Sequence, residues 1–322
     1  MRVLITGAGG FIGTVLTRAL LDCGALKNSE NFTQPIERIM LADTRLPNIT
    51  DARLERIQGD LADHQTLQRI AEWRPDSIFH LAAILTSAAE RDPARALAIN
   101  VSSFARLIEI IGSTHNPPRL IYPSSIAVFG GRLPDVVNDD IVQRPQTAYG
   151  THKSIVELML ADGTRRGEIE GRALRLPIVL VHPGPATSSV SDSIAGIVRD
   201  AVAGRDVVLP LSGETCIPVV SIKTVTANLI TIHDFAAGTL HGVTALNQPA
   251  LTVSMAGIVS SLRETLRAPS LNFVFKPDPA LEAIVHSWPK DFVSQRANDL
   301  GISGNTSFDE IVRDYSESLR HA

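Results

Sequence analysis

The sequence predicts an α/β fold: a doubly wound parallel sheet followed by a smaller C-terminal region. Three observations predict it. Short apolar runs alternate with segments of helical apolar spacing through the first half of the chain, and that alternation builds parallel sheets with helices on both faces. A glycine-rich turn lies between the first apolar run and the first helix. Over 322 residues the chain is 44% apolar and 20% charged, enough to bury a full core.

The elements follow in order. Residues 2–6 form a first strand bounded by glycine, and residues 11–23 a helix with apolar positions at Ile12, Val15, Leu16, Ala19 and Leu20. Residues 28–35 are polar and read as a surface loop. Strands follow at 39–42 and 57–59, a helix at 64–72 stopped by Pro75, and a strand at 77–81. Residues 94–111 are helical, 119–122 form a strand, 147–165 a helix and 173–181 a strand. After 184 the rhythm changes. Helical spacing at 194–203, 223–235, 253–266 and 308–319 is mixed with β-like pieces at 207–209, 217–222 and 273–275. This places a nucleotide-binding domain over 1–183 and a smaller, mostly substrate-binding region over 184–322, part of which returns to the first domain.

Composition excludes several classes of function. The net charge is −4 with no dense Lys/Arg block, which argues against nucleic acid and anionic membranes as partners. No long uncharged apolar run predicts a transmembrane helix, and glycines interrupt the N-terminal apolar run too early for a signal peptide. Cys23 and Cys216 are too few for a disulfide framework or a cysteine-based zinc site. The expectation is a soluble, reduced, cytoplasmic protein without a metal.

Gly7, Gly10 and Gly13 punctuate the turn Gly7-Ala8-Gly9-Gly10-Phe11-Ile12-Gly13. Between a strand and a helix, such glycines allow a tight turn, close approach of a pyrophosphate and close helix–strand packing. The helix N-terminus adds free N–H groups and a positive dipole. This is the Rossmann pattern for a dinucleotide. Asp43 ends the second strand, where a carboxylate accepts both ribose hydroxyls and repels a 2′-phosphate, so NAD is expected. Arg45 nearby is the feature that would favour NADP.

Tyr149 and Lys153 are four residues apart on a helix, so their side chains share a face. Ser124-Ser125 closes the fifth strand at the carboxyl edge, where parallel sheets bind ligands. Each residue alone has an ordinary structural explanation; together, behind a dinucleotide turn, they point to catalysis.

With these residues the chain resembles the extended short-chain dehydrogenase/reductase family over nearly its whole length. The likeness rests on the glycine turn, Gly59-Asp60-Leu61, His80-Leu81-Ala82-Ala83, Asn100-Val101, Ser124 to Gly130, and Tyr149/Lys153. Phe129 stands where tyrosine is more usual. The resemblance implies Ser125, Tyr149 and Lys153 as catalytic residues. It puts Phe11 and Ile12 in the phosphate turn, Asp60 and Leu61 beside the adenine, and Leu81, Ala82, Ala83 and Asn100 along the cofactor. Leu176, Pro177 and Ile178 would line the nicotinamide side. Tyr149 would take an alcohol proton, with the Lys153 ammonium lowering its pKa and reaching the ribose, while Ser125 holds the substrate oxygen.

Family members acting on nucleotide sugars usually carry an arginine clamp for the diphosphate. Here Ile178 replaces an expected asparagine, and no arginine lies between Arg205 and Arg263. The stretches 85–90, 175–177 with 182–184, and 279–289 are instead similar to dehydrogenases of small sugar acids. That likeness implies NAD-linked oxidation of the 2-hydroxyl of a four-carbon sugar acid. Thr86, Ser87, Ser188 and Ser189 are candidates, beside Ser125 and Tyr149, for holding its hydroxyls and carboxylate. A nucleotide-sugar epimerase or dehydratase of the same fold is the alternative, and a non-catalytic NAD-binding sensor a more distant one. Helices near 104–111 and from 148 onward look apolar on all sides. They predict packing against a twofold mate, as the family resemblance also implies.

Overall fold

The computed structural model describes residues 1–112, 117–181 and 190–320. Its central sheet has seven strands: β1 (Arg2–Thr6), β2 (Arg38–Asp43), β3 (Leu54–Gln58), β4 (Ser77–His80), β5 (Arg119–Ser125), β6 (Glu170–Leu176) and β7 (Ala245–Asn247). Across the sheet they run β7-β6-β5-β4-β1-β2-β3. Every pairing from β3 through β1 to β5 is parallel. The chain therefore winds outward from β1 to β3, then restarts on the other side with β4. Ligands bind such sheets at the carboxyl ends of the strands flanking that reversal.

The strands are apolar throughout because both faces are covered. Ile78 of β4 belongs to a core cluster with Leu4, Leu67, Phe104, Leu120 and Val156. That core joins the sheet to α2 (His64–Trp73), α3 (Ser103–Ile111) and α4 (Ala148–Arg165). The next residue, Phe79, points to the opposite face by the strand period. There it stacks on His233, the last residue of α5 (Ile222–His233), with ring centroids 5.5 Å apart. The helix after β1, α1 (Phe11–Cys23), buries Leu16 and Leu20 completely.

Several elements differ from the sequence reading, each for a local reason. The polar stretch 28–35 contains half of an antiparallel hairpin, Ala25–Lys27 with Thr33–Pro35, held by backbone rather than by apolar side chains. The Arg119 guanidinium donates to the carbonyls of Lys27 and Asn28 at its base. β3 starts at Leu54, because Leu54 and Ile57 face inward while Glu55 and Arg56 break the apolar run. The helix over 94–111 is three pieces: Pro93–Leu97, a π-helical turn Ala98–Ser102, and α3. The strand expected at 173–181 ends at Leu176 and restarts as Ile178–Leu180 in another sheet, since Pro177 offers no N–H to continue the ladder. The helix expected from 253 begins at Met255. Leu251–Ser254 is a strand, and the Ser254 hydroxyl caps the helix by accepting from the Gly257 N–H. Pro279–His286 is a further helix that the sequence reading left unassigned.

The described chain falls into two compact units. The first comprises Met1–Val128, Thr147–Arg175 and Thr226–Leu246; the second comprises Phe129–Gln146, Leu176–Val225 and Asn247–Ala322. The sequence reading placed one boundary at 183/184. The units interleave instead, because the segment 226–246 comes back to cover the outer edge of β6, where the Ala173 N–H donates to the Thr244 carbonyl at 2.7 Å. The second unit holds a small sheet in which Ile178–Leu180 pairs parallel with Cys216–Ser221, and Cys216–Ser221 antiparallel with Leu251–Ser254. No helix among the described residues is long and apolar enough to cross a membrane.

Candidate active site

The glycine turn is shaped by contacts that no side chain could share. Gly7 has φ +69°, and a Cβ there would stand 2.6 Å from the Ala82 nitrogen. Gly13 would put a Cβ 2.3 Å from the Gly7 oxygen, against the packing of α1 on the turn. Gly9, which the sequence reading passed over, is the tightest: its Cβ would lie 1.7 Å from the Arg45 carbonyl oxygen. Gly10 differs, since a Cβ there would meet only the Gly7 oxygen, at 3.1 Å. The turn is thus packed on the protein's own backbone at Gly7, Gly9 and Gly13 and least crowded at Gly10, which caps the helix without a side-chain hydrogen bond. Phe11, Ile12 and Gly13 form the first turn behind it.

Asp43 ends β2 beside this turn. Its Oδ2 accepts from the Gly9 N–H at 2.9 Å, and its Oδ1 accepts from the Arg45 N–H at 3.1 Å and the Thr44 hydroxyl at 3.2 Å. The carboxylate is therefore fixed at the end of its strand, beside the glycine turn. Gly59 is held to it through the Asp43 carbonyl. The Asp60 carboxylate accepts from the Ala62 N–H and is ion-paired with Arg95, a partner that local spacing does not predict. Leu61 is buried.

Leu81, Ala82 and Ala83 follow β4, with the Leu81 N–H donating to the Thr6 carbonyl and the Ala82 N–H to the Thr6 hydroxyl. Asn100 lies in the π-helical turn and is buried. Its Oδ1 accepts from the Ile84 N–H at 2.7 Å, while its Nδ2 donates to the Ile84 carbonyl at 2.9 Å and lies 3.3 Å from His152 Nδ1. Asn100 thus holds the backbone after Ala83 in place with its own amide.

The structure brings Ser125, Tyr149 and Lys153 together in the first unit. β5 carries Ser125 at its end, and Thr147 caps α4 by accepting from the Gly150 N–H, which starts the helix one residue before Tyr149. The Ser125 hydroxyl lies close enough to the Tyr149 phenol to favour its ionised form. Burial pushes that phenol up to about 12, with the serine opposing. Lys153 is buried, donates to the Pro123 carbonyl at 2.6 Å, and sits 4.2 Å from the Tyr122 ring centroid and 5.6 Å from that of Tyr149. Burial brings its ammonium down to about 7, with the Glu157 carboxylate opposing. The lysine lies over the tyrosine ring, and in the protein alone burial dominates the phenol. The sequence reading gave the lysine a larger share of that tuning.

Neighbouring groups complete the site. His80 Nδ1 lies 3.0 Å from the Thr6 hydroxyl, and burial together with the Lys153 charge brings its pKa down to about 3, so the ring is neutral. Thr86 and Ser87 open the short helix Thr86–Arg91, whose Glu90 accepts from the Ala148 N–H at the start of α4 at 2.8 Å. These two candidates therefore sit on an element tied to the catalytic helix. Ser188, Ser189 and the stretch 182–184 lie outside the described residues. Leu176, Pro177 and Ile178 are buried and belong to the second unit. In the same unit, the strand Cys216–Ser221 buries Ile217, Val219 and Val220 completely and offers no cation. No group of three or more His, Cys, Asp or Glu side chains among the described residues could hold a metal ion.

A dinucleotide cradle beside a paired tyrosine and lysine is the machinery of an oxidoreductase that works on a bound nicotinamide, and this fold and site place the protein in that class. The chain belongs to the NAD dependent epimerase/dehydratase family, whose model matches residues 3–244. Its cofactor is NAD. It is 36% identical over 319 residues to D-erythronate dehydrogenase of Cupriavidus necator, covering 98% of each chain. It is 31% identical over 320 residues to D-erythronate dehydrogenase of Haemophilus influenzae, covering 98% of this chain and 99% of that one. Among solved structures, a nucleoside-diphosphate-sugar epimerase from Agrobacterium tumefaciens superposes with a TM-score of 0.91 at 30% identity, covering 100% of this chain and 95% of the other.

Proposed function

We propose that the protein oxidises the 2-hydroxyl of D-erythronate, or of a closely similar small 2,3-dihydroxy acid, with NAD. The observation that carries the reaction type is the Lys153 ammonium over the Tyr149 ring, with the Ser125 hydroxyl near enough to the phenol to favour its ionised form. The choice of acid is supported by the full-length likeness to two D-erythronate dehydrogenases. A nucleotide sugar is disfavoured because no arginine lies between Arg205 and Arg263 to clamp a diphosphate.

The residues divide the work as follows. Gly7, Gly9, Gly10 and Gly13 shape the phosphate turn, Asp43 takes the adenosine ribose, and Lys153 reaches the other ribose. Bound NAD supplies the hydride acceptor and a positive charge beside the phenol. Ser125 holds the substrate oxygen. Tyr149 removes the hydroxyl proton. Bringing its pKa from about 12 to near neutrality takes about 5 units, or about 7 kcal/mol at about 1.4 kcal/mol per unit. The Lys153 ammonium, the nearby Ser125 hydroxyl and the cofactor's charge act in that direction. Thr86 and Ser87, with Ser188 and Ser189, are the polar side chains we assign to the acid's remaining groups.

Steady-state NADH formation across sugar acids and nucleotide sugars tests the substrate. Tyr149→Phe keeps the ring and removes the base, so turnover is expected to fall about 10²–10⁴-fold while NAD binding persists. Saturable turnover of a UDP-sugar with none on sugar acids overturns the substrate. Full activity in Tyr149→Phe overturns the mechanism.

A further inference from the structure

Beneath Lys153 lies a buried ionic network that the reaction just described does not use. Glu157 is one further turn along α4, so Tyr149, Lys153 and Glu157 form a single stripe at four-residue spacing. The stripe is docked group by group on the end of β5. Tyr149 meets the Ser125 hydroxyl, Lys153 Nζ meets the Pro123 carbonyl, and the Ser124 hydroxyl donates to Glu157 Oε1. Arg175, on β6, closes the network from the other side. Its Nε lies 3.1 Å from both carboxylate oxygens, and its Nη2 donates to Oε2 at 2.8 Å. The Glu157 and Arg175 side chains are 5% and 11% exposed.

A buried ion pair of this kind contributes little net stability compared with apolar side chains of the same size, because both charges must leave water. Its position suggests what it does instead. Ser124 is the chain neighbour of Ser125, so anchoring its hydroxyl fixes the strand end that carries the catalytic serine. The carboxylate also stands one helical turn from the Lys153 ammonium. We propose that Glu157 is a positioning residue: through Ser124 it sets the place of Ser125, and through its charge it supports the Lys153 ammonium that holds the NAD ribose. The proposal rests on the roles assigned above to Ser125 and Lys153.

The charged and titratable groups around Lys153 are few. Among the described residues, His80 faces it from β4 and is neutral, Tyr122 faces it from β5, Tyr149 and Glu157 share its helix, and Arg175 pairs with Glu157. Burial lowers the lysine and Glu157 is the group that opposes this, so neutralising Glu157 makes the ammonium lose its proton at lower pH.

The test is NAD affinity by calorimetry between pH 6 and 9, which needs no substrate, together with kcat and KM on the best acid. In Glu157→Gln, the pH at which NAD affinity declines is expected to move about one unit toward acid. Glu157→Asp keeps the charge and is expected to retain the wild-type midpoint. Ser124→Ala removes only the hydroxyl, and is expected to lower kcat about tenfold while leaving NAD affinity and its pH midpoint unchanged. A Glu157→Gln protein that loses thermal stability but keeps the wild-type midpoint overturns the proposal, as does full kcat in Ser124→Ala. If Glu157→Gln does not fold, Glu157→Asp and Ser124→Ala decide, and a shifted midpoint in Glu157→Asp counts against the proposal. Failure of the wild type on every sugar acid rejects the substrate assignment alone, because the affinity measurement stands apart from it.

Discussion

At the residue scale, Gly9 and Asp43 act as one device. The Gly9 N–H donates to the Asp43 carboxylate, and the missing Cβ of Gly9 is what lets the Arg45 carbonyl come close. The Asp43 carboxylate is thus locked to the glycine turn within the protein itself, and for the ribose and phosphate roles proposed above such preorganisation lowers the ordering cost of binding. NAD is expected to bind at least about tenfold more tightly than NADP, about 1.4 kcal/mol, as measured by titration with both cofactors. Asp43→Ala should narrow that ratio and weaken NAD as well, since the substitution also releases Gly9. A wild type that prefers NADP would show that Arg45 governs the site. Gly9→Ala forces backbone apart, so a stability loss of about 1–3 kcal/mol is expected in chemical denaturation, with NAD affinity falling in parallel.

At the element scale, β4 ends in a histidine that must stay neutral. His80 is buried between Phe104 and Tyr122, with Lys153 charge nearby, and its pKa is about 3 in the fold. The unfolded value is about 6.5. The unfolded chain therefore binds more protons between these values, and stability is lost as pH falls below about 6.5. Each such histidine contributes a slope of about 1.4 kcal/mol per pH unit. His152 and His233 are also lowered by burial and add in the same direction. Urea denaturation at pH 7, 6 and 5 is expected to show this decline, and His80→Asn to flatten it by about one proton's share. An unchanged slope in that variant would place the proton uptake elsewhere. The same element scale explains why Asn100 sits in a π-helical turn. The wider turn sets its amide against both backbone groups of Ile84, the residue that leads from the segment after β4 to the helix bearing Thr86 and Ser87.

At the scale of the whole molecule, we infer that the protein is a homodimer through α3 and α4. Leu158 on α4 is 71% exposed, and Ile155 and Met159 beside it are only half-buried. The sequence reading made both helices apolar on every side, but α3 turns Arg106 and Glu109 outward, so its free face is mixed. Covering Leu158 contributes about 1.5–3 kcal/mol per copy. Light scattering at micromolar concentration is expected to give twice the chain mass, and Leu158→Glu to shift the equilibrium toward monomer. A monomeric wild type overturns this inference.

The sequence by itself determined the βαβ order, the glycine turn, Asp43 as the end of its strand, and the Tyr149/Lys153 pair. These signals are local: a strand period, a turn that only glycine satisfies, a four-residue helical spacing. The tertiary structure decided what each group faces. It set Glu157 under Lys153 through Arg175 on another strand, paired Asp60 with Arg95, engaged Asn100 on Ile84, and returned residues 226–246 to the edge of the sheet. Such partners lie tens of residues apart, and which buried charge meets which is fixed only when the strands are ordered side by side. For the same reason the phenol's high pKa was not legible in the chain: burial sets it, and burial is a property of the packed molecule.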